Sequence, residues 1–329
     1  MKDCNQDIEK YHADRVKLTS AKRAELTARR DANRDRVTTG LKASDGPSPD
    51  GFVTQGSHAM RTTILEPNND YDIDDGVVFV QEDLVGKKGG QMEPLDARKM
   101  VRDAVDDGAF KKKPEIKTNC VRVFYNDGPH VDIPVYRRKQ DGSTELGSAE
   151  WKASDPEGVN RWFGEALASK SGQDAPEQMR AVIRLLKSIC ANRPSYSLPS
   201  GFVLTVLVNE CYHTHEDRLD AVVRNAIAAI HSRLAGSLIV RHPVVDEFLT
   251  EGADDPKVRE FRALLRTALD DLTVLDRANC RRSEALKAWK KVFNTDYFDG
   301  AIATAEEEER SLAAGMAPAF VHAPKPWCA

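Results

Sequence analysis

The segment Asp72-Ile73-Asp74-Asp75-Gly76-Val77-Val78-Phe79-Val80 sets alternating carboxylates at the head of an apolar run. The run Val77–Val80 is rich in β-branched and aromatic residues and predicts a strand. Side chains two residues apart on a strand project from the same face, so Asp72 and Asp74 point in one direction. Adjacent carboxylates repel each other unless a cation lies between them, and hard oxygen ligands favour Mg²⁺. The segment therefore predicts a strand that begins in a metal site.

A glycine-serine turn, Gln55-Gly56-Ser57, precedes this strand. Gly56 lets the backbone approach a ligand closely, and Ser57 is predicted to begin a short helix. Backbone N–H groups and the positive end of the helix dipole would meet a triphosphate there, with the Ser57 hydroxyl as a further donor. We therefore predict that Gln55, Gly56 and Ser57 bind substrate. Such a turn upstream of two alternating carboxylates is typical of a nucleotidyltransferase.

A third carboxylate is predicted at Asp132. A two-metal site needs it, because one ion activates the attacking hydroxyl while the other neutralises the leaving pyrophosphate. Asp132 lies in His130-Val131-Asp132-Ile133-Pro134-Val135-Tyr136, where apolar residues alternate with it. The run Val121–Tyr125 and the turn residues Asn126-Asp127-Gly128 predict the first arm of a hairpin. The hairpin would carry Asp132 close to the two upstream aspartates.

Two neighbouring residues have simpler predicted roles. Pro134 lacks a backbone donor, which predicts an edge or bulge position with that side open to a ligand. Asp75 is expected to face away from the metals and to form a turn with Gly76.

Taken singly, an Asp-rich segment is usually a solvated turn and a glycine-serine pair is commonplace. The order of the three motifs favours the catalytic interpretation.

In these segments the chain resembles the bacterial CD-NTases of CBASS anti-phage defence, cGAS-like enzymes that are also akin to oligoadenylate synthetase. The resemblance rests on Gln55–Thr63, Tyr71–Val77, His130–Tyr136, Trp151–Pro156 and Leu198–Phe202. It runs from about residue 20 to about residue 300. It implies an α+β fold, in which a polymerase-beta-like nucleotidyltransferase core with a mixed sheet carries a C-terminal helical lobe like that of oligoadenylate synthetase.

The resemblance also implies ligands and an activity. Two Mg²⁺ ions, for which Mn²⁺ can substitute, would be held by Asp72, Asp74 and Asp132, and Lys187 and Ser200 would contact the donor triphosphate. The enzyme would join purine NTPs, ATP and GTP above others, into a cyclic dinucleotide of the cGAMP type. That second messenger would activate an anti-phage effector. A trinucleotide product is left open.

Two other function classes use part of the same pattern. A non-cyclising nucleotidyltransferase that modifies a protein or RNA would use the same carboxylates, although RNA extension favours a broad basic surface. A catalytically dead binding module would normally lack at least one carboxylate, and this chain has all three.

The sequence predicts three units. Residues 1–160 form the nucleotidyltransferase core with an N-terminal helix, residues 161–305 form a helical cap lobe, and residues 306–329 form a mobile tail. In the cap, Arg180, Arg184 and Lys187 recur on one side of a predicted helix. Such a stripe is most often a solvated face, but here it precedes Pro199-Ser200-Gly201, and both could reach the phosphates.

The tail suggests partners. In relatives whose operons encode ubiquitin-like conjugation enzymes, the synthase C-terminus is joined to targets. The resemblance therefore makes operon-encoded conjugation or regulatory proteins candidate partners of the tail.

Composition limits the remaining classes. The 329 residues carry a formal net charge of −4, so any polyanion site must be local and no DNA requirement is expected. The six cysteines lack paired spacing and indicate reduced cytosolic thiols. No segment approaches about 18 uninterrupted apolar residues, so we predict a cytoplasmic protein without a membrane span.

Overall fold

The strands lie in the first half of the chain, and helices occur in both halves. The structure, a computed structural model, describes residues 1–66, 68–86, 89–170, 175–213 and 217–315. Its strands are β1 Gly51–Thr54, β2 Asp72–Val80, β3 Glu115–Ile116, β4 Val121–Phe124, β5 His130–Ile133, β6 Val135–Arg138, β7 Thr144–Gly147 and β8 Trp151–Ala153. Its α-helices are α1 Asn5–Tyr11, α2 Ser20–Ala43, α3 Gly56–Met60, α4 Pro94–Val105, α5 Pro156–Ala168, α6 Ala175–Ala191, α7 Gly201–Cys211, α8 Leu219–Gly236, α9 Pro256–Leu272, α10 Arg282–Phe293 and α11 Asp299–Gly315.

Strand β2 is the centre of a mixed sheet. It pairs antiparallel with β1 and parallel with β5 and β6. The antiparallel strands β4 and β3 continue the sheet beyond β5, and β7 and β8 continue it beyond β6. This sheet, together with the many helices, confirms the predicted α+β class.

Pro134 lies inside the sheet, at a break between two strands. β5 and β6 keep one register against β2, with Asp72 opposite His130 and Val77 opposite Val135. The Pro134 carbonyl accepts a hydrogen bond from the Val77 N–H at 2.9 Å. The outer neighbour changes here from β4 to β7, so Pro134 marks the boundary between β5 and β6. The predicted edge or bulge position with an open side is therefore wrong.

The predicted turn at Asp75 and Gly76 is also wrong, because β2 runs straight through both residues. A Cβ at Gly76 would lie 2.4 Å from the Tyr136 ring, so glycine is required by packing. The buried Asp75 carboxylate accepts two hydrogen bonds from Arg34, at 2.6 and 2.7 Å, and one from the Thr54 hydroxyl at 2.7 Å. Asp75 thus ties β2 to α2 and β1.

Two large groups of buried side chains organise the chain. One group lies between the sheet and helices α2 and α4. The other lies among the helices from α6 through α10. Within the predicted first unit, α2 packs on the sheet, whereas Ile8 and Tyr11 of α1 belong to the helical group. The start of the chain therefore packs with the helices of the second half, which corrects its assignment to the nucleotidyltransferase core.

Residues 306–315 of the predicted mobile tail are helical. Helix α11 continues through the predicted boundary at residue 305 as far as Gly315. Glu309 accepts hydrogen bonds from the Ser283 N–H at 3.0 Å and the Ser283 hydroxyl at 2.7 Å, which hold α11 on α10. The rest of the predicted tail, residues 316–329, lies outside the described residues.

Among the helices of the described ranges, none combines the length and the apolar character needed to cross a membrane.

Gly40 provides a test of the packing between α2 and α4. A Cβ at this position would lie 2.1 Å from the Ala104 carbonyl oxygen, so we expect Gly40→Ala to lower the free energy of unfolding by about 1–3 kcal/mol. Gly164 in α5 has open space around it, and Gly164→Ala should instead add about 0.4–1 kcal/mol. Urea denaturation measures both changes. Equal effects of the two substitutions would contradict this packing.

Candidate functional site

A cleft of about 750 Å³ lies between the sheet and the helices of the second half. Its walls bring together residues that are far apart in sequence, with Asp72 and Asp74 on one side and Lys187 and Ser200 on the other. Of the predicted site residues, those that line the cleft are Gln55, Gly56, Ser57, Asp72, Asp74, Lys187 and Ser200. Asp132 is not part of the lining.

The three predicted carboxylates lie on neighbouring strands at matching positions. Asp74 of β2 is paired in register with Asp132 of β5, and Asp72 is paired with His130. Residues two apart on a strand share a face, so all three carboxylates belong to one face of the sheet. Asp132 is buried, whereas Asp72 is exposed.

Arg122 engages two of these carboxylates and was missed by the sequence analysis. Strand β4 sets it directly opposite Asp132. Its Nε lies 2.7 Å from Asp132 Oδ1 and its Nη2 lies 2.7 Å from Asp132 Oδ2. The same Nη2 lies 3.3 Å from Asp72 Oδ1. The available signal was an arginine between the apolar Val121 and Val123, the alternation that singled out Asp132 on the facing strand.

His130 adds a second contact to Asp72. Its Nδ1 lies 2.9 Å from Asp72 Oδ1 and 3.1 Å from the Tyr71 carbonyl oxygen. The hydrogen bond from His130 lowers the pKa of Asp72, opposed by burial and assisted by the charges of His130 and Arg122. Asp72 is therefore held as an anion at the mouth of the cleft.

Asp74 is in the opposite electrostatic situation. Burial, together with the neighbouring carboxylates of Asp132 and Asp72, raises the pKa of Asp74 to about 7. Gly56 packs directly on this side chain, since a Cβ there would lie 2.3 Å from Asp74 Oδ2. Gly56 also has a φ of +65°, a conformation that favours glycine. A cation beside Asp74 would remove the penalty for its ionisation.

The carboxylates suit the predicted Mg²⁺ ions in chemistry, since all are hard oxygen donors on one face. Their positions in this structure do not yet form a complete metal site. Across the described residues, no three Asp, Glu, His or Cys side chains are grouped closely enough to hold a metal ion. In this structure both oxygens of Asp132 accept hydrogen bonds from Arg122.

The predicted triphosphate turn forms the short helix α3, which begins at Gly56 with Gln55 as its cap residue. The Gln55 side-chain oxygen accepts a hydrogen bond from the Tyr136 hydroxyl at 2.8 Å, and the Gln55 N–H donates to the Asp74 carbonyl at 2.9 Å. The Ser57 and Thr63 hydroxyl oxygens lie 3.1 Å apart. These bonds fix the turn against β2 and β6.

The basic stripe on α6 docks that helix on the end of α3. Its side chains donate to three successive carbonyls, with Arg180 to Met60 at 3.1 Å, Arg184 to Arg61 at 3.0 and 3.1 Å, and Lys187 to Thr62 at 3.1 Å. The last carbonyls of a helix lack partners within it and attract cations. The stripe is therefore a contact between the two halves of the chain, and not the solvated face that such stripes usually form.

Ser200 and Lys187 meet at the start of α7. The Ser200 hydroxyl caps this helix by accepting a hydrogen bond from the Val203 N–H at 3.4 Å. Gly201, which the sequence analysis did not select, packs on the Lys187 side chain, since a Cβ there would lie 2.9 Å from Lys187 Cε. Burial lowers the pKa of Lys187 to about 8, with a further contribution from the charge of Arg184.

Solved structures of one bacterial enzyme share this fold. The Vibrio cholerae cyclic AMP-GMP synthase DncV, described as a prokaryotic cGAS homolog, is 18% identical, with a TM-score of 0.68 over 89% of this chain and 96% of that chain. A DncV mutant in complex with ATP, GTP and 5MTHFGLU2 gives 17% identity and a TM-score of 0.69 over 89% and 95%. DncV in complex with the linear intermediate 5′ pppA(3′,5′)pG gives 19% identity and a TM-score of 0.67 over 86% and 94%. At these identities the likeness shows the fold.

The sequence itself identifies the segment that carries the motifs. Residues 50–136 match the family described as cyclic GMP-AMP synthase DncV-like, nucleotidyltransferase domain. The match spans the triphosphate turn, the strand with Asp72 and Asp74, and the strand with Asp132, and it confirms the resemblance to cGAS-like nucleotidyltransferases. Residues 50–136 thus match the DncV-like nucleotidyltransferase domain, within a chain that shares the fold of DncV.

Proposed function

We propose that this protein is a cyclic oligonucleotide synthase that joins ATP and GTP, with release of pyrophosphate, into a cyclic dinucleotide of the cGAMP type. The product would be a second messenger that activates an anti-phage effector. The proposal is carried by one observation: one cleft has the phosphate turn, Asp72 and Asp74 on one wall and, on the other, Lys187, which has no carboxylate partner among the described residues. The ATP, GTP and linear-intermediate complexes of DncV support this choice of substrates.

The phosphate tail of the donor nucleotide would lie between α3 and the start of α7. Gly56 allows close approach of the backbone, Ser57 offers a hydroxyl, and Lys187 and Ser200 face them across the cleft. In the described part of the chain, Lys187 forms no ion pair with a carboxylate, and it donates only to Thr62. A triphosphate would supply the missing negative charge.

Asp72, Asp74 and Asp132 would hold the divalent ions. When bound, two Mg²⁺ ions would neutralise the leaving pyrophosphate and lower the pKa of the attacking ribose hydroxyl. The chain itself contributes orientation, because α3 is fixed to β2 through the bond from Gln55 to Asp74 and to α6 through the basic stripe. Positioning of this kind supplies much of the acceleration in nucleotidyl transfer.

The function is tested with the purified protein, ATP, GTP and Mg²⁺. We expect a product that resists phosphatase, because a cyclic dinucleotide has no terminal phosphate. Asp72→Asn with Asp74→Asn should reduce the rate by about 10³-fold or more, whereas Asp103→Asn, on an exposed face of α4, should leave it unchanged. A phosphatase-sensitive product, or nucleotide attached to protein or RNA, would favour the non-cyclising alternative. Product formation by the double variant would refute the site.

Gly56 tests the contact between the phosphate turn and Asp74. Gly56→Ala places a Cβ against Asp74 Oδ2, so we expect the rate of product formation to fall by about 10²-fold through misplacement of that carboxylate. Gly142 is the matched control, since its φ of +82° is equally unusual but its surroundings are open. Gly142→Ala should cost stability and leave the rate intact. A similar loss of rate in both variants would contradict the proposed role of this contact.

Lys187 tests whether binding residues are retained at the expense of stability. Because the pKa of Lys187 falls from 10.5 to about 8 on folding, its charge opposes folding below pH 8. Lys187→Met should therefore raise the free energy of unfolding at pH 7 by about 1–2 kcal/mol and weaken nucleotide binding. The gain should shrink between pH 8 and pH 10.5, where the wild-type side chain loses its proton only in the folded state.

Lys170 provides the control for this measurement. Its ammonium group donates to the Asn209 carbonyl at 3.4 Å, and neither residue lines the cleft. We expect Lys170→Met to change stability by less than about 0.5 kcal/mol. Denaturant unfolding at several pH values gives both differences. Destabilisation by Lys187→Met at pH 7, or a gain that grows above pH 8, would contradict the account.

A further inference from the structure

Arg122 lies where a metal ion shared by two of the carboxylates would have to lie. Its Nη2 is 2.7 Å from Asp132 Oδ2 and 3.3 Å from Asp72 Oδ1, so one nitrogen bridges both side chains. We propose that Arg122 competes with the divalent ions for Asp132 and keeps this carboxylate out of the metal site until a metal-nucleotide complex displaces the guanidinium. This inference rests on the proposed function.

The fold makes the competition direct. Arg122 and Asp132 are register partners on the antiparallel strands β4 and β5, and Asp132 and Asp74 are register partners on the parallel strands β5 and β2. Asp132 thus stands between a cation on one neighbouring strand and a carboxylate on the other. The Arg122 pair is bidentate, the strongest arrangement for arginine and a carboxylate. Asp132 therefore cannot keep both oxygens on Arg122 and coordinate a divalent ion at the same time.

Electrostatic repulsion also opposes the simultaneous presence of Arg122 and a divalent ion at Asp132. A divalent ion at Asp132 and Asp72 would meet the fixed positive charge of Arg122, which stays protonated at all relevant pH values. Arg122 also contacts His130, with Nη1 3.1 Å from His130 Nε2, so the guanidinium is fixed on three sides. On the other side of Arg122, β3 sets Glu115 opposite it, but the Glu115 carboxylate is paired with Lys112 at 3.1 Å and with Lys117 at 2.6 Å. Arg122 pairing and metal binding should therefore be mutually unfavourable.

Direct metal binding to the nucleotide-free protein tests the proposal. We expect Arg122→Gln to bind Mn²⁺ about tenfold tighter than the wild type, within the usual range of couplings between two sites. Binding would be followed by the loss of the free Mn²⁺ signal in electron paramagnetic resonance. Asp72→Asn in the Arg122→Gln background should remove the gain. Arg36→Gln is the matched control, because Arg36 forms a similar pair with Asp107 away from the cleft. Unchanged or weaker Mn²⁺ binding by Arg122→Gln would overturn the proposal.

A second measurement avoids the variant, since removal of Arg122 leaves the buried Asp132 unpaired and could unfold the protein. The Nε–H signals of Arg122 and Arg36 are followed in the wild type by nitrogen-proton NMR. Saturating Mg²⁺ with a non-hydrolysable ATP analogue should shift the Arg122 signal and leave that of Arg36 in place. A bound complex with an unmoved Arg122 signal would refute the competition.

The failure of this inference is distinguishable from that of the proposed function. If the wild type forms a cyclic product while Arg122→Gln binds Mn²⁺ no tighter, only the role of Arg122 is wrong. If the wild type forms no cyclic product while Arg122→Gln binds Mn²⁺ about tenfold tighter than the wild type, the proposed function fails and the metal competition stands.

Discussion

Asp74 lies opposite Asp132 across two parallel strands, and Asp72 lies two residues away on the same face. Carboxylates this close repel each other, and the repulsion is strongest for those removed from water. Each of the three has its own environment: Asp132 is paired with Arg122, His130 donates to Asp72 and lowers its pKa, and burial is the largest cause that raises the pKa of Asp74 to about 7. The rest of the cleft surrounds these carboxylates. Their mutual repulsion lowers stability in the absence of a cation, which favours a role in ligand binding.

The second half of the chain is attached to the first at the phosphate turn. Three cations of α6 bind the carbonyls at the end of α3, and the start of α3 is bonded to Asp74. A shift of α6 would therefore be transmitted to Gly56 and from there to a proposed metal ligand. The same stripe carries Lys187 to the cleft, so the contact that joins the two halves also positions a proposed phosphate ligand.

Local patterns predicted the parts of the site that depend on strand and turn chemistry. The period-2 alternation placed Asp72 and Asp74 on one face. The hairpin signal predicted the pairing of β4 with β5, and β5 carries Asp132 to the position opposite Asp74. The Pro134 and Gly76 predictions failed because proline and glycine usually end strands. Pro134 instead lies at the break between β5 and β6, both of which pair with β2, and packing against Tyr136 keeps Gly76 inside β2.

Other features depend on long-range contacts that no local window contains. Arg122 looked like an ordinary polar residue of a hairpin, and only the cross-strand register reveals its contact with Asp132. The sequence did not reveal that the basic stripe docks on α3, because its carbonyl partners lie about 120 residues away in the chain. The helix beyond residue 305 is stabilised by contacts with α10, whereas its acidic composition alone favoured a mobile tail.

The central claim is that the carboxylates of β2 and β5 form one divalent metal site in the presence of nucleotide. A crystal structure with Mn²⁺ and a non-hydrolysable ATP analogue tests it directly through anomalous scattering. We expect manganese peaks in direct coordination with Asp72, Asp74 and Asp132, phosphates against Gly56 and Ser57, and Arg122 moved away from Asp132. Nucleotide bound in the cleft without manganese at Asp72 and Asp74 would contradict the claim.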